Sequence, residues 1–81
     1  MNYYVYAIRS YSRNYIYVGL TDNPERRLHQ YNTGLNRTTK PYAPFSLIWS
    51  ETFPYRQEAR NREKYLKSGV GKEFLKSLLP R

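Results

Sequence analysis

Two runs of aromatic and β-branched residues near the N-terminus constrain this chain most. They are Tyr3-Tyr4-Val5-Tyr6-Ala7-Ile8 and Tyr15-Ile16-Tyr17-Val18-Gly19-Leu20, separated by a polar stretch from Ser10 to Asn14. Such residues favour extended backbone. A spacer this short permits an antiparallel hairpin, whereas a parallel crossover needs roughly a dozen residues or more. Side chains alternate between the two faces of a strand, so parity sorts them. With Arg9 opposite Asn14, Tyr6 lies opposite Tyr17 and Tyr4 opposite Gly19. One face then carries Val5, Ala7, Ile16, Val18 and Leu20, which is core. The other carries Tyr4, Tyr6, Ile8, Tyr15 and Tyr17, with Gly19 leaving a gap where another group can approach the backbone closely.

A helix follows. Asp22 is the expected N-cap with Glu25 at N3, Pro24 sits in the first turn, and Gly34 ends a helix that starts near Asn23 and closes at Asn32. Residues 34–44 form a basic, polar loop. Phe45 to Phe53 sets Leu47, Trp49 and Phe53 in alternation, which predicts a third strand ended by Pro54. A second helix is expected over Arg56 to Ser68, broken by Gly69 and Gly71. A last short helix spans Glu73 to Leu79, with Phe74, Leu75, Leu78 and Leu79 as docking residues. The order β-β-α-β-α-α predicts an α+β fold, a three-stranded antiparallel sheet with flanking helices. A chain of 81 residues is expected to be one domain, residues 1–81.

Composition narrows the function. The net charge of +8, from 14 Lys+Arg against 6 Asp+Glu, favours a polyanion, and nucleic acid is the commonest one. No segment pairs a wide apolar face with a basic one, so a membrane surface is not expected. No apolar run approaches the ~20 residues that span a bilayer. Met1-Asn2-Tyr3-Tyr4 lacks the features of a leader, and the expected localisation is cytoplasmic. The absence of cysteine excludes disulfides, thiolate metal sites and thiol catalysis.

Three positions stand out for chemistry. Arg27 and Tyr31 are four apart and share a helix face directly after the tyrosine hairpin. Glu63, four residues after Ala59 and three before Leu66, points toward the apolar side of its helix, which also includes Tyr55. A carboxylate there needs a partner or a metal, and an ion pair with Lys67 at i+4 is the simpler alternative. His29, the one histidine, lies on another side of the first helix and is expected to be exposed. A histidine metal cluster and a serine–histidine triad are therefore not available. The six acids are scattered, which argues against paired-carboxylate glycosidase chemistry and a two-metal carboxylate site.

Tyr4-Val5-Tyr6 followed by Tyr17-Val18-Gly19 resembles the paired signature of the GIY-YIG nuclease superfamily. The stretch Thr21 to Arg27 is similar to the one that leads to that family's catalytic arginine. Asn32-Thr33-Gly34, Thr38 or Thr39, Pro44 and Leu47-Ile48 resemble the middle segment of its small single-domain members. Ala59, Arg62-Glu63-Lys64 and Lys67 resemble the helix that carries its metal-binding glutamate. Tyr4 stands where the family has glycine and Val18 where it has isoleucine. Tyr31 stands where many small members have histidine, while the domain of the UvrC repair nuclease has tyrosine.

The resemblance implies a metal-dependent endonuclease acting on DNA rather than RNA, structure-selective or weakly sequence-specific, in repair or recombination. It implies that Glu63 binds one Mg²⁺ or Mn²⁺, that Arg27 binds the phosphate, and that Tyr6 or Tyr31 activates water with Tyr17 in support. Gly19 would be structural within the site. Arg37 and Lys40 in the middle loop are expected to contact the nucleic-acid backbone without reading sequence. A lone site cuts one strand at a time, so double-strand cleavage would need a dimer or two visits. The competing readings are a non-catalytic nucleic-acid-binding module on the same fold, and a protein-interaction domain whose charge is incidental.

Overall fold

A computed structural model describes residues 2–34 and 37–79. Strands β1 (Tyr3–Ser10), β2 (Ile16–Thr21) and β3 (Phe45–Phe53) form one antiparallel sheet in the order β2-β1-β3. Helix α1 (Pro24–Asn32) lies against β1 and β3, and α2 (Arg56–Lys67) lies on β1, β2 and β3. Helix α3 (Gly69–Ser77) packs on α2, and a short 3₁₀ turn, Lys40–Tyr42, precedes β3. The expected α+β plan and element order are those observed.

Both faces of the sheet are covered, so the chain has two apolar clusters. Val5, Ala7 and Val18 pack with Ala59, Leu66 and Leu75 on the side of α2 and α3. Tyr6, Ile8, Tyr31 and Phe45 form the second cluster on the side of α1. Parity assigned the hairpin residues to the correct faces.

The register differs from expectation by two residues. Tyr6 pairs with Gly19, Ile8 with Tyr17 and Tyr4 with Thr21. The hairpin closes one step later than Arg9–Asn14, because the Ser10 amide donates to the Tyr15 carbonyl at 2.9 Å. The Ser10 hydroxyl then organises the loop by accepting from the Ser12 and Arg13 amides at 3.2 and 3.0 Å. A shift of two keeps every side chain on its face. It brings the Tyr6 ring, rather than open space, over Gly19.

β3 does not alternate simply. Ala7 pairs with Trp49 and Ile8 with Leu47, so Ile48 is an extra residue in a β-bulge. The bulge reverses the parity of the strand. Phe45 and Leu47 therefore face α1, whereas Ile48, Trp49 and Phe53 face the α2 side. The Trp49 ring meets Phe74 of α3 edge-on at 5.0 Å, and both its indole N–H and the Arg62 guanidinium donate to Glu51.

The helix termini also correct the sequence reading. The N-cap of α1 is Asn23, whose Oδ1 accepts from the Arg26 amide at 3.1 Å. Pro24 occupies the first helical position, and Asp22 instead pairs with the Arg26 side chain. Gly34, with φ +76, terminates α1 as expected. Gly69 and Gly71 do not break the chain between helices, since α3 starts at Gly69 with Ser68 as its cap. A Cβ on Gly71 would stand 2.2 Å from the Tyr65 carbonyl oxygen and 2.4 Å from Leu66 Cα, so only glycine allows α3 to approach α2 this closely. Leu75 is buried as expected, but Leu78 is exposed and lies beyond α3. Tyr55 is 68% exposed and stands outside the apolar stripe of α2.

Candidate active site

The tyrosine face of the hairpin and the inner face of α1 meet at one polar cluster. Tyr6 and Tyr31 are buried, with hydroxyl oxygens 3.3 Å apart. Arg27 Nη2 donates to the Tyr31 hydroxyl at 3.2 Å, and Nη1 donates to Gln30 Oε1 at 2.9 Å. The Tyr17 ring packs on Tyr31 with centroids 5.4 Å apart and on Tyr6 at 6.3 Å. The i, i+4 spacing of Arg27 and Tyr31 places both on this face. Gly19 completes the arrangement: a Cβ there would stand 2.6 Å from the Tyr6 hydroxyl oxygen, so the glycine is the slot that receives the Tyr6 ring.

The electrostatics of the cluster follow from its burial. Tyr17 is raised above the usual phenol value, first by desolvation and then by its interaction with the Tyr31 hydroxyl, while Lys67 and Arg27 pull it down. Tyr31 is raised by desolvation and by Tyr6. Both phenols are therefore neutral near pH 7. Arg27 holds its proton more tightly than usual, chiefly through the Tyr6 hydroxyl. It forms no ion pair with an acid among the described residues. A half-buried guanidinium whose partners are neutral oxygens retains its full charge for an incoming anion.

Glu63 stands on α2, which packs on the other face of the sheet from the tyrosine cluster. Its side chain is only 12% exposed, in keeping with the inward position expected for it. It is held by Lys67 Nζ at 3.2 Å and by Arg60 Nε at 3.9 Å. Lys67 also lines a hollow of about 270 Å³ with Tyr15, Ile16, Tyr17, Val18 and Lys72, and its charge acts on Tyr17. Since β2 is an edge strand, α2 side chains can reach round it toward the tyrosines. Four of the expected residues, Tyr6, Tyr17, Arg27 and Tyr31, thus converge directly. Glu63 does not join them directly: among the described residues its ion-pair partners are Lys67 and Arg60.

The donor set can be tested against a metal. No group of three or more His, Cys, Asp or Glu side chains is gathered among the described residues, so a protein cage is excluded there. A single shielded carboxylate, Glu63, matches a hydrated divalent ion, which typically uses one or two carboxylates and keeps several waters, provided that its pairs with Lys67 and Arg60 give way. His29 is exposed and takes no part.

Arg37 and Lys40 are exposed on the connection after α1, the Lys40 stem lying along Gly34, and neither joins the tyrosine cluster. Two supporting residues escaped the sequence reading. Gln30 was legible as an i, i+3 partner of Arg27. Asn32 clamps the start of β3 by accepting from the Phe45 amide at 2.6 Å and donating to its carbonyl at 3.1 Å. Nothing in local pattern marks such a long-range bond.

Comparison with known proteins identifies the family. A family model described as the GIY-YIG catalytic domain matches residues 2–76. A UPF0213 protein of Limosilactobacillus reuteri is 35% identical over 80 residues, covering 95% of this chain and 82% of that protein. A UPF0213 protein of Staphylococcus haemolyticus is 32% identical over 77 residues, covering 94% and 93%. The solution NMR structure of a UPF0213 protein from Bacillus halodurans is similar with a TM-score of 0.57 and 33% identity, covering 96% of this chain and 85% of that one. No helix among the described residues is long and apolar enough to cross a membrane.

Proposed function

The chain belongs to the GIY-YIG catalytic-domain family, together with small UPF0213 proteins, and on that premise we propose that it is a divalent-metal-dependent endonuclease hydrolysing DNA phosphodiester bonds. The observation that carries the reading is Arg27: a half-buried guanidinium against the hydroxyls of Tyr31 and Tyr6, with Tyr17 packed on both rings, and lacking an acidic partner among the described residues. Such a group binds a phosphate and stabilises the extra charge of its transition state.

In this mechanism Arg27 grips the non-bridging oxygens, with Gln30 and Tyr31 fixing the plane of its fork. In place of the expected Tyr6 or Tyr31, both of which are buried, we assign the attacking water to Tyr17, which is half-buried and borders the open hollow. Tyr6 and Tyr31 are buried and position Tyr17 and Arg27. Glu63 would hold Mg²⁺ or Mn²⁺, and that ion supplies neutralisation of phosphate charge and stabilisation of the leaving 3′-oxygen when bound. A neutral phenol cannot accept a proton from that water, so the base in this mechanism is the phenolate of Tyr17, a form that Lys67 and Arg27 favour against the larger opposing effect of burial. We assign it selection by DNA structure or weak sequence preference, as in repair or recombination, since cations that grip the backbone do not read sequence.

The Glu63 ion pairs with Lys67 and Arg60 favour a second reading, in which the same fold binds nucleic acid without cutting it and Glu63 is only structural. Cleavage of branched and plasmid DNA with Mg²⁺ or Mn²⁺ separates the two. The wild type is expected to cut and Glu63→Ala to be inert while still binding DNA. An inert wild type sinks the nuclease reading, and equal cutting by the variant sinks the metal assignment.

A further inference from the structure

Beyond the tyrosine cluster, the free edge of β2 carries a second feature. The hollow beside Tyr17 continues into another of about 180 Å³ lined by Asn14, Tyr15, Ile16, Lys72 and Lys76. The two share Tyr15, Ile16 and Lys72, so they form one channel from Lys67 to the hairpin tip. Three lysines border it on the helical side, Lys67 from α2 and Lys72 and Lys76 from α3. Lys72 and Lys76 are one helical turn apart, about 6 Å along the axis, a separation comparable with that of neighbouring phosphates along a strand. Lys72 has no acidic partner among the described residues. Lys76 meets Glu73 only at 4.0 Å in an exposed pair, which contributes little. The close seat of Gly71 on α2 fixes α3, and with it the row of lysines, relative to β2.

We propose that this channel is a track for the sugar–phosphate backbone, along which Lys67, Lys72 and Lys76 lead one strand of DNA from the Tyr17 site toward Asn14. The proposal rests on the nuclease reading for its substrate class and adds where the strand leaves the site. Charge and continuity select the occupant. Lys67, Lys72 and Lys76 border the channel, and it begins at Tyr17, the residue proposed to hold the attacking water.

The test is equilibrium binding of a labelled duplex with a single-stranded overhang, followed by fluorescence anisotropy in EDTA across a salt series. Each phosphate neutralised adds about 0.7–0.9 to the slope of log affinity against log salt. Lys72→Ala/Lys76→Ala is expected to make the slope shallower by about 1.4–1.8 and to weaken binding at low salt. Backbone amides of Tyr15 and Ile16 are expected to shift in NMR spectra on titrating the wild type with the same DNA. An unchanged slope in a double variant that melts like the wild type overturns the track while leaving the nuclease reading intact. Wild-type binding that does not depend on salt overturns both. Amide shifts confined to the loop of Arg37 and Lys40 also overturn the track.

Discussion

Gly19→Ala tests the join between fold and site at a single methyl group. In a strand interior, alanine is ordinarily the better residue, by roughly 0.5–1 kcal/mol. Here the added carbon would stand 2.6 Å from the Tyr6 hydroxyl oxygen, 2.7 Å from Cζ and 2.9 Å from Cε1. All three distances are below any normal contact. The Tyr6 ring cannot swing away freely, because it is buried and packed between Tyr17 and Tyr31. Overpacking of this kind costs about 1–3 kcal/mol. Setting that against the intrinsic gain leaves a net loss of up to about 2.5 kcal/mol, centred on ~1 kcal/mol, which for a domain of this size lowers the melting temperature by about 4–8 °C at the centre of that range. Activity should fall further than stability. Displacing Tyr6 disturbs the hydroxyl that faces Arg27 and Tyr31, and a misplacement of about 1 Å can reduce a rate 10²-fold. Thermal unfolding followed by circular dichroism, with cleavage assayed well below the transition, reads both effects. Adding Tyr6→Phe removes the 2.6 Å contact but leaves the two ring contacts, so it should restore only part of the stability. A Gly19→Ala protein that melts at or above the wild-type temperature and cuts normally would refute the packing assigned to Tyr6.

Gly71→Ala should be more damaging to stability than Gly19→Ala, since its Cβ would meet backbone atoms of Tyr65 and Leu66 at 2.2 and 2.4 Å; a guanidinium midpoint within error of the wild type would contradict the close seat of α3. Arg27→Lys keeps the charge but loses the planar fork shared between Gln30 and Tyr31, so cleavage should drop about 10²–10³-fold with little change in melting temperature. Full activity in that variant would mean that charge alone suffices. Stability should also fall in alkali. Tyr15, Tyr17 and Tyr31 are raised above 10.0 in the fold, each chiefly by burial, so the native state holds these protons more tightly than the unfolded chain. Their contribution is complete below pH 10.0 and is lost as pH rises through the raised values. Urea midpoints across that range report it, and a midpoint that does not decline would argue against burial as the cause.

The parts of this protein legible in sequence are those governed by period and local chemistry. Parity sorted the hairpin side chains even though its register was two residues out, because an even slip preserves faces. Arg27 and Tyr31 could be paired from helical spacing, and Glu63 could be placed inward from its distance to Ala59 and Leu66. Pro24 held the information needed to move the cap from Asp22 to Asn23, since proline prefers the position directly after the cap. The bulge at Ile48 was hidden inside the continuous apolar run Leu47-Ile48-Trp49, which suits either face. The end of α2 at Ser68 was read correctly, but Gly71 was misread as a breaker, because a glycine required by a neighbouring helix looks the same in sequence as one that ends a helix. Two-sided coverage of the sheet was also out of reach, as it depends on where α1 docks.

That coverage explains why the tyrosine face is tolerable at all. A hydroxyl taken out of water without a partner costs about 1–3 kcal/mol on protein scales, and a small domain has little margin for several of these. Phenylalanine and isoleucine serve as well in the same cluster, as Phe45 and Ile8 do. Tyr6 and Tyr31 avoid the penalty only because their hydroxyls meet each other and Arg27, and Arg27 in turn is anchored by Gln30. No buried side-chain polar atom among the described residues lacks a partner. The hydrogen-bond chain from Gln30 to Tyr6 is therefore needed for burial and also orients the guanidinium. It follows that folding and site assembly are one event on this face. The hydroxyls cannot be buried until α1 has docked, and once α1 has docked Arg27 is already aimed. Only Tyr17, half-buried at the rim beside the β2 edge, is left with freedom to exchange a protein partner for water or substrate.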